Sequence, residues 1–470
     1  MKNILLLLLF VNSFSSMAQN ISVPFDKKIF KEQKDAFKIA IDNLEEGDRL
    51  YEFGLDPDIG FSVWSEAIPF FEKSNDFNPN NASLNYKLGN CYLVSIHKYQ
   101  ALDYFIQAYK LMPTINKDIH YKIGRAYQYQ YKFDKALYEY GLFRKTLNSD
   151  LDARVIVELN RFIDQCKTGK TLMDSPERIW IDNLGEHINT EYPDYAPLIS
   201  ADESVIMFTS RRSNSTGGEM NGAMYMEDLY ISEKDKNGNW RPAVGISDQI
   251  NTNGHDATAG LSLDGLSLFV YMDNGDRGNL YLSHKLEDGW EKPKGVGKNI
   301  NNKKTRETGA CFTADKKSFY FVSDRDGTLG GTDIWRTNWD EEKEEWGEPV
   351  NIGDVINTSY DEVGVFMHPD GRTMYFSSKG HKGMGGFDIF YSIMNDGGTW
   401  NEPVNIGYPV STPDDDVHFV ISASGKHGYY SSFREEDGIG EKDIYMITFL
   451  GNKKEPLLST EDNLLASVAA

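Results

Sequence analysis

The chain has 470 residues with 49 basic and 71 acidic side chains, a formal net charge of −22 at pH 7. That length accommodates two or three domains, and the acidity argues against a nucleic-acid partner, because phosphate contacts need clustered Lys and Arg. Three cysteines, Cys91, Cys166 and Cys311, are too few for a disulfide framework and lack metal-ligand spacing, which suits buried single thiols and predicts neither metal nor cofactor.

At the start of the chain, Lys2 precedes an apolar run from Ile4 to Val11 and a small-residue stretch ending Ser16-Met17-Ala18. This reads as a signal peptide over residues 1–18, cleaved after Ala18 so that the mature chain begins at Gln19. No Cys follows the run, so no lipid anchor is indicated. No stretch approaches the ~20 apolar residues of a spanning helix. The expectation is an exported protein of the periplasm without a transmembrane segment.

Residues 19–170 show helical periodicity and a short repeat. Leu88-Gly89-Asn90-Cys91-Tyr92 is echoed by Ile123-Gly124-Arg125-Ala126-Tyr127, and Ala67, Ala101 and Ala136 recur 34 and 35 residues apart. Pro79 and Pro113 fall where second helices should stop. The pattern resembles the tetratricopeptide repeat, in which small residues let paired helices approach and aromatics fill the gap to the next pair. Three repeats are expected, over 48–80, 83–113 and 117–149, with a helix from Phe30 to Phe53 that precedes or forms part of the first pair and a capping helix from Leu151 to Cys166. The resemblance implies an α-solenoid whose groove takes a peptide or a partner helix.

From residue 178 to 451 a longer period takes over. An acidic or amide residue, Ile or Leu, and an aromatic recur at Asp228-Leu229-Tyr230, Asn279-Leu280-Tyr281, Asp333-Ile334-Trp335, Asp388-Ile389-Phe390 and Asp443-Ile444-Tyr445. Each period carries four strand signals, and Trp240, Trp290, Trp346 and Trp400 each lead into a proline suited to an outermost strand. This is the signature of a five-bladed β-propeller. Asn183-Leu184-Gly185 and Asn189-Thr190 match Asn351-Ile352-Gly353 and Asn357-Thr358, so the segment 179–188 is expected to be an outer strand that completes the last blade and removes two exposed edges.

The Tyr-Asp-Glu, Asp-Gly, Tyr-Phe-Ser-Ser and Asp-Ile-Phe elements resemble the TolB-type, WD-related propeller repeat. Signal peptide, tetratricopeptide repeats and TolB-like propeller in that order resemble the PorE-like, OmpA-family envelope proteins of gliding and type IX-secreting bacteria. The resemblance implies outer-membrane association and envelope proteins as partners, held by the solenoid groove or a propeller face. The OmpA-type domain of that family has no counterpart here, and residues 452–470 read as a linker, so peptidoglycan binding is not supported.

One constellation could carry chemistry. Asp194, Asp256, Glu307, Glu362 and Asp416 stand eight residues before the turn residues Asp202, Asp264, Asp315, Asp370 and Ser424. If they open the innermost strands, they ring one mouth of the channel and could bind a cation or a basic peptide terminus. The alternative is that each accepts hydrogen bonds from the neighbouring blade, with Arg211, Arg325, Lys379 and Arg434 as donors. The acidic residue that opens each repeated triplet should cap its turn, and the glycine-rich Gly217-Gly218, Gly330-Gly331 and Gly385-Gly386 open strands rather than helices, which excludes a phosphate cradle. No Gly-x-Ser-x-Gly elbow or His-Glu-x-x-His motif occurs, so no catalytic residue is assigned and a non-enzymatic scaffold is expected. A ligand-binding propeller, or a glycan lyase or hydrolase pairing the ring carboxylates with His255 or His418, is the alternative.

Overall fold

A computed structural model of the chain describes residues 21–56, 63–220, 224–273 and 277–451. The expected signal peptide and the 452–470 tail lie outside the described residues. The chain divides into two compact units, one of residues up to 127 together with 139–146, the other of 128–138 together with 147 onward.

In the first unit, α1 (Lys34–Phe53) pairs with α2 (Trp64–Phe77), and α3 (Ala82–Val94) with α4 (Ala101–Leu111); α5 (Ile119–Tyr129) and α6 (Phe133–Arg144) follow, with their residues 128–129 and 133–138 counted in the second unit. One device recurs in all three pairs. A Cβ added to Gly47, Gly89 or Gly124 would stand 2.5 Å from a ring carbon of Phe71, Phe105 or Tyr140 respectively, so each ring seats directly on the backbone of the first helix of its pair. The rings are fully buried, as are Ala67 and Ala101. Asn81 caps α3 by accepting the Leu84 N–H at 2.8 Å, which satisfies one of the N-terminal donors a helix leaves unpaired. Pro79 and Pro113 lie just past the ends of α2 and α4, since the residue before a proline disfavours helical geometry. Among the described residues no helix is long and apolar enough to cross a membrane.

The second unit is a five-bladed β-propeller with the helix α7 (Ala153–Asp174). In chain order the inner strands are Asp194–Ile199, His255–Leu261, Glu307–Phe312, Glu362–Met367 and Asp416–Ile421. Each is followed by antiparallel second and third strands, and in blades one to four by an outer strand of two residues. The Trp-x-x-Pro element divides differently from the sequence reading. Trp240, Trp290, Trp346 and Trp400 pair back onto extensions of the third strands, and the outer strand begins only after the proline, at Val244, Lys294, Val350 and Val404. In the fifth blade the outer strand is Ile179–Asn183, in antiparallel register with Asp443–Phe449 from Ile179 opposite Phe449 to Asn183 opposite Tyr445. The strand therefore ends five residues before Ile188. From there the chain turns into the core, where Ile188 is fully buried.

Every inner strand carries a β-bulge after its first residues. At three of the bulges, Ala196, Gly364 and His418 adopt positive φ of 52°, 64° and 58°. The extra residue twists the strand at the narrowest part of the ring. Residues 128–138 and α7 fasten onto the fourth blade. Gln128 Nε2 donates to the Met384 carbonyl at 3.1 Å, Gln165 Nε2 donates to Gly385 O, and Tyr360 donates its hydroxyl to Glu158 at 2.8 Å.

Adjacent blades are stitched by a dipeptide. Asn357 accepts Ile334 N–H at 2.8 Å and returns its amide to Ile334 O at 2.9 Å, while Thr358, next in the chain, donates to Glu362 of the following blade at 2.8 Å. Asn189 clamps Ile444, Asn251 clamps Leu229 and Asn301 clamps Leu280 in the same way. Asn357→Ala removes three bonds, the third to Asn351 Oδ1 at 2.8 Å, and leaves the buried Ile334 N–H without its side-chain acceptor. A loss of about 2 kcal/mol is expected in urea unfolding; a midpoint equal to wild type would mean the clamp is dispensable.

Candidate functional site

All five ring carboxylates stand at the first or second residue of an inner strand and are fully buried. Their donors are local. Asp194 accepts Thr190 N at 2.6 Å and Arg212 Nη2 at 2.6 Å. Glu307 accepts Thr305 at 2.7 Å, Ser323 at 2.9 Å and Arg325 at 3.3 Å. Glu362 accepts Thr358 and Ser378, and Asp416 accepts Thr412 N and Ser432. Asp256 accepts Thr252 N. The serine in each case lies opposite the carboxylate on the second strand of the same blade, not on a neighbouring blade. Of the four cations expected as donors only Arg325 reaches a ring carboxylate. Arg211 pairs with Glu227, Lys379 with Asp361, and Arg434 bonds Tyr430 and Pro409 O. The cation that serves Asp194 is Arg212, one residue further on.

The carboxylates that open the repeated triplets act on their turns. Asp333 accepts Leu329 N at 2.7 Å and Asn351 Nδ2 at 2.6 Å, and Asp443 accepts Ile439 N at 2.6 Å and Asn183 Nδ2 at 2.9 Å. Each therefore ties the loop before the third strand to the outer strand.

Burial governs the titration of several of these groups. It pushes Asp256 and Asp388 up to about 6 and Glu362 up to about 7. Each binds its proton more tightly folded than unfolded, so its contribution to stability is fully present below the ordinary carboxylate pKa near 4 and is lost as the pH rises through 6 to 7. Hydrogen bonds from Ser200 and Ser204 hold Asp202 at about 2, and those from Lys316 and Ser262 hold Asp264 at about 2; their contributions are present above pH 4 and vanish as the pH falls through 2. The melting temperature is expected to peak near about pH 5 and to fall by several degrees at pH 8. A calorimetric midpoint higher at pH 8 than at pH 5 would contradict this account.

The channel itself holds a cavity of about 200 Å³. Thr258, Gly260, Ala310, Cys311, Gly364 and His418 contribute to its wall, and none of the five ring carboxylates does. Burial, with Lys442 nearby, pushes His418 down to about 3, so its imidazole is neutral at pH 7.

A second constellation has no counterpart in the other blades. Glu227 precedes the first triplet and accepts the Tyr195 hydroxyl and Arg211 Nη2, the latter at 2.7 Å, and lies 3.0 Å from His255 Nδ1. Burial opposes the ionisation of Glu227, but His255 and Arg211 outweigh it and hold the carboxyl at about 2. Glu227 in turn raises His255 above its ordinary value. Sequence reasoning missed Glu227, because a residue that does not recur is invisible to a search by period. His255 was singled out, but its partner is Glu227 rather than a ring carboxylate. Among the described residues no group of three or more His, Cys, Asp or Glu is arranged to hold a metal.

No protein-family model matches this sequence, and no curated protein matches it. Among solved structures the chain is similar to a protein assigned as TolB from Agrobacterium tumefaciens, at 20% identity over 55% of this chain and 78% of that one with a TM-score of 0.33. It is also similar to an α-L-arabinofuranosidase from Lactobacillus brevis, at 12% identity over 57% of this chain and 92% of that one with a TM-score of 0.36, and to the β-xylosidase RS223, at 13% over 59% and 96% with a TM-score of 0.38.

Proposed function

We propose that the protein is an exported, non-enzymatic scaffold of the bacterial envelope, periplasmic and associated with the outer membrane, of the PorE-like kind that serves type IX secretion or gliding. In this reading the helical pairs form a tetratricopeptide-type groove for a peptide or helix of an envelope protein, and a propeller face takes a second partner. The observation that supports it best is the fate of the ring carboxylates: the groups most suited to chemistry are buried and largely engaged in hydrogen bonds of the blades themselves. A side chain so engaged holds structure and is not free to meet a substrate.

The test is affinity purification of the tagged mature chain from its own host's cross-linked envelope. Stoichiometric envelope proteins in the outer-membrane fraction are expected; recovery as a lone soluble monomer would overturn the reading. The pairing of Glu227 with His255 favours a second reading, a ligand-binding or glycan-cleaving propeller, because a carboxylate and an imidazole in contact are the parts of acid–base chemistry. Turnover of oligosaccharides by the purified chain, abolished in a folded Glu227→Gln variant, would move the assignment there.

A further inference from the structure

At four of the five blade junctions the N–H of the ring carboxylate donates to the carbonyl just before the acid that opens the third strand of the preceding blade, at 2.7–2.8 Å, which sets Asp256 beside Asp228, Glu362 beside Asp333, Asp416 beside Asp388 and Asp194 beside Asp443; within each pair the carboxylates repel. Two buried like charges side by side are tolerable only when donors cover them. Three of the pairs are covered. An asparagine of the outer strand, Asn351, Asn405 or Asn183, reaches the first carboxylate; Ser378, Ser432 or, for Asp194, Arg212 reaches the second.

The junction of blades one and two has lost both kinds of donor. The outer-strand position filled by asparagine in blades three to five is Gly245, opposite Tyr230 as Asn351 is opposite Trp335; blade two also has a glycine there, Gly295, but its triplet opens with the amide Asn279 and not with a carboxylate. The residue opposite Asp256 is Met272, where Glu307, Glu362 and Asp416 face a serine. Asp228 Oδ1 and Asp256 Oδ1 are accordingly buried with no hydrogen-bond partner, and so is the Ser215 hydroxyl, in the loop whose Thr216 N–H binds the other oxygen of Asp228 at 2.6 Å. Asp228 is 2% exposed and Asp256 is fully buried. Each orphaned acceptor costs about 1–3 kcal/mol, and two independent losses of donors fall on one spot.

We propose that Asp228 Oδ1 and Asp256 Oδ1, with the Ser215 hydroxyl, bind a hard divalent cation of the calcium type at the junction of the first two blades. Two carboxylate oxygens and a hydroxyl are oxygen donors of the kind calcium takes, in an irregular set that magnesium, with its strict octahedron, accepts poorly. The ion replaces the missing amide and hydroxyl and cancels the repulsion between the carboxylates.

The experiment uses the full mature chain, stripped with EDTA and dialysed free of it at pH 7.5, titrated with calcium chloride by calorimetry and by thermal melting. One calcium per chain is expected, with a saturable rise of several degrees in the melting temperature and a weaker response to magnesium. The double variant Gly245→Asn/Met272→Ser installs the asparagine of blades three to five and the serine of the other four blades. Gly245 has φ outside the positive region and only Asn251 Nδ2 at 3.5 Å from an added Cβ, whereas Met272 packs in the core and its truncation lowers the metal-free melting temperature; the variant is expected to bind calcium at least tenfold more weakly and to lose the calcium-induced rise in melting temperature. Asp228→Asn should likewise weaken binding. No stoichiometric calcium on the wild-type chain, or a calcium response unchanged in these variants, which would mark counter-ion binding to an acidic surface, overturns the proposal.

Discussion

Arg212→Met is expected to destabilise the propeller by about 3–5 kcal/mol, the cost of leaving a buried charge without its partner. Asp194 is fully buried and Arg212 Nη2 stands 2.6 Å from its Oδ1. The same guanidinium donates to Ile188 O and Ser210 Oγ, both at 2.8 Å, and lies over the ring of Tyr230 at 4.3 Å. Methionine keeps much of the stem's packing and isolates the electrostatic loss. Without the arginine, the Thr190 N–H and hydroxyl are the donors left to Asp194. Removing the charge as well, in Arg212→Met/Asp194→Asn, should recover most of the loss. Urea unfolding of the three variants measures the coupling, and a single-variant loss below about 1 kcal/mol would show that Asp194 is not held as a charge.

The second large effect lies in the helical unit. Gly89→Leu places a side chain where the ring of Phe105 already sits 2.5 Å from the position of a Cβ, so helices α3 and α4 must part. Overpacking of this kind costs about 3 kcal/mol, and Phe105→Ala alone costs about 3–5 kcal/mol through the cavity it opens. The pair Gly89→Leu/Phe105→Ala exchanges volume across the contact, and the double variant should be more stable than the sum of its parts predicts. Strict additivity would mean that the two residues do not share one packing site. The same construction at Gly124 and Tyr140 offers a replicate in the next helix pair.

The propeller was legible because its signals repeat. The triplet at the third strand, the Asp-Gly turn and the asparagine that clamps the previous blade are short, local and recur at a fixed step, so even the closing strand could be found by matching Asn183 and Asn189 to Asn351 and Asn357. The position of the ring carboxylates was legible for the same reason. Their partners were not, because the cations leave from the loop just after the second strand, where no strand alternation fixes which way a side chain goes. Arg211 and Arg212 are neighbours in sequence, yet one reaches Glu227 and the other Asp194. Departures from the repeat carry the remaining information: Gly245 and Met272 matter only because asparagine stands at the first position in blades three to five and serine at the second in the other four blades, and that comparison requires the register. In the helical unit, Gly89 and Gly124 were visible as an echo, whereas Gly47 lies out of step because the connection from α1 to α2 is longer than those that follow.

The closing strand also sets the order in which the ring can form. Asn183 and its partner Asp443 are 260 residues apart in the chain, and Ile179–Asn183 precedes every blade in sequence. During synthesis this edge, with Trp180 exposed even in the finished ring, has no mate until the last blade emerges. Contacts so distant in sequence form slowly, and an unpaired edge in the interval invites pairing with other chains. Closure is therefore the step at which a newly made copy is most open to misassembly, and the step a chaperone would have to guard.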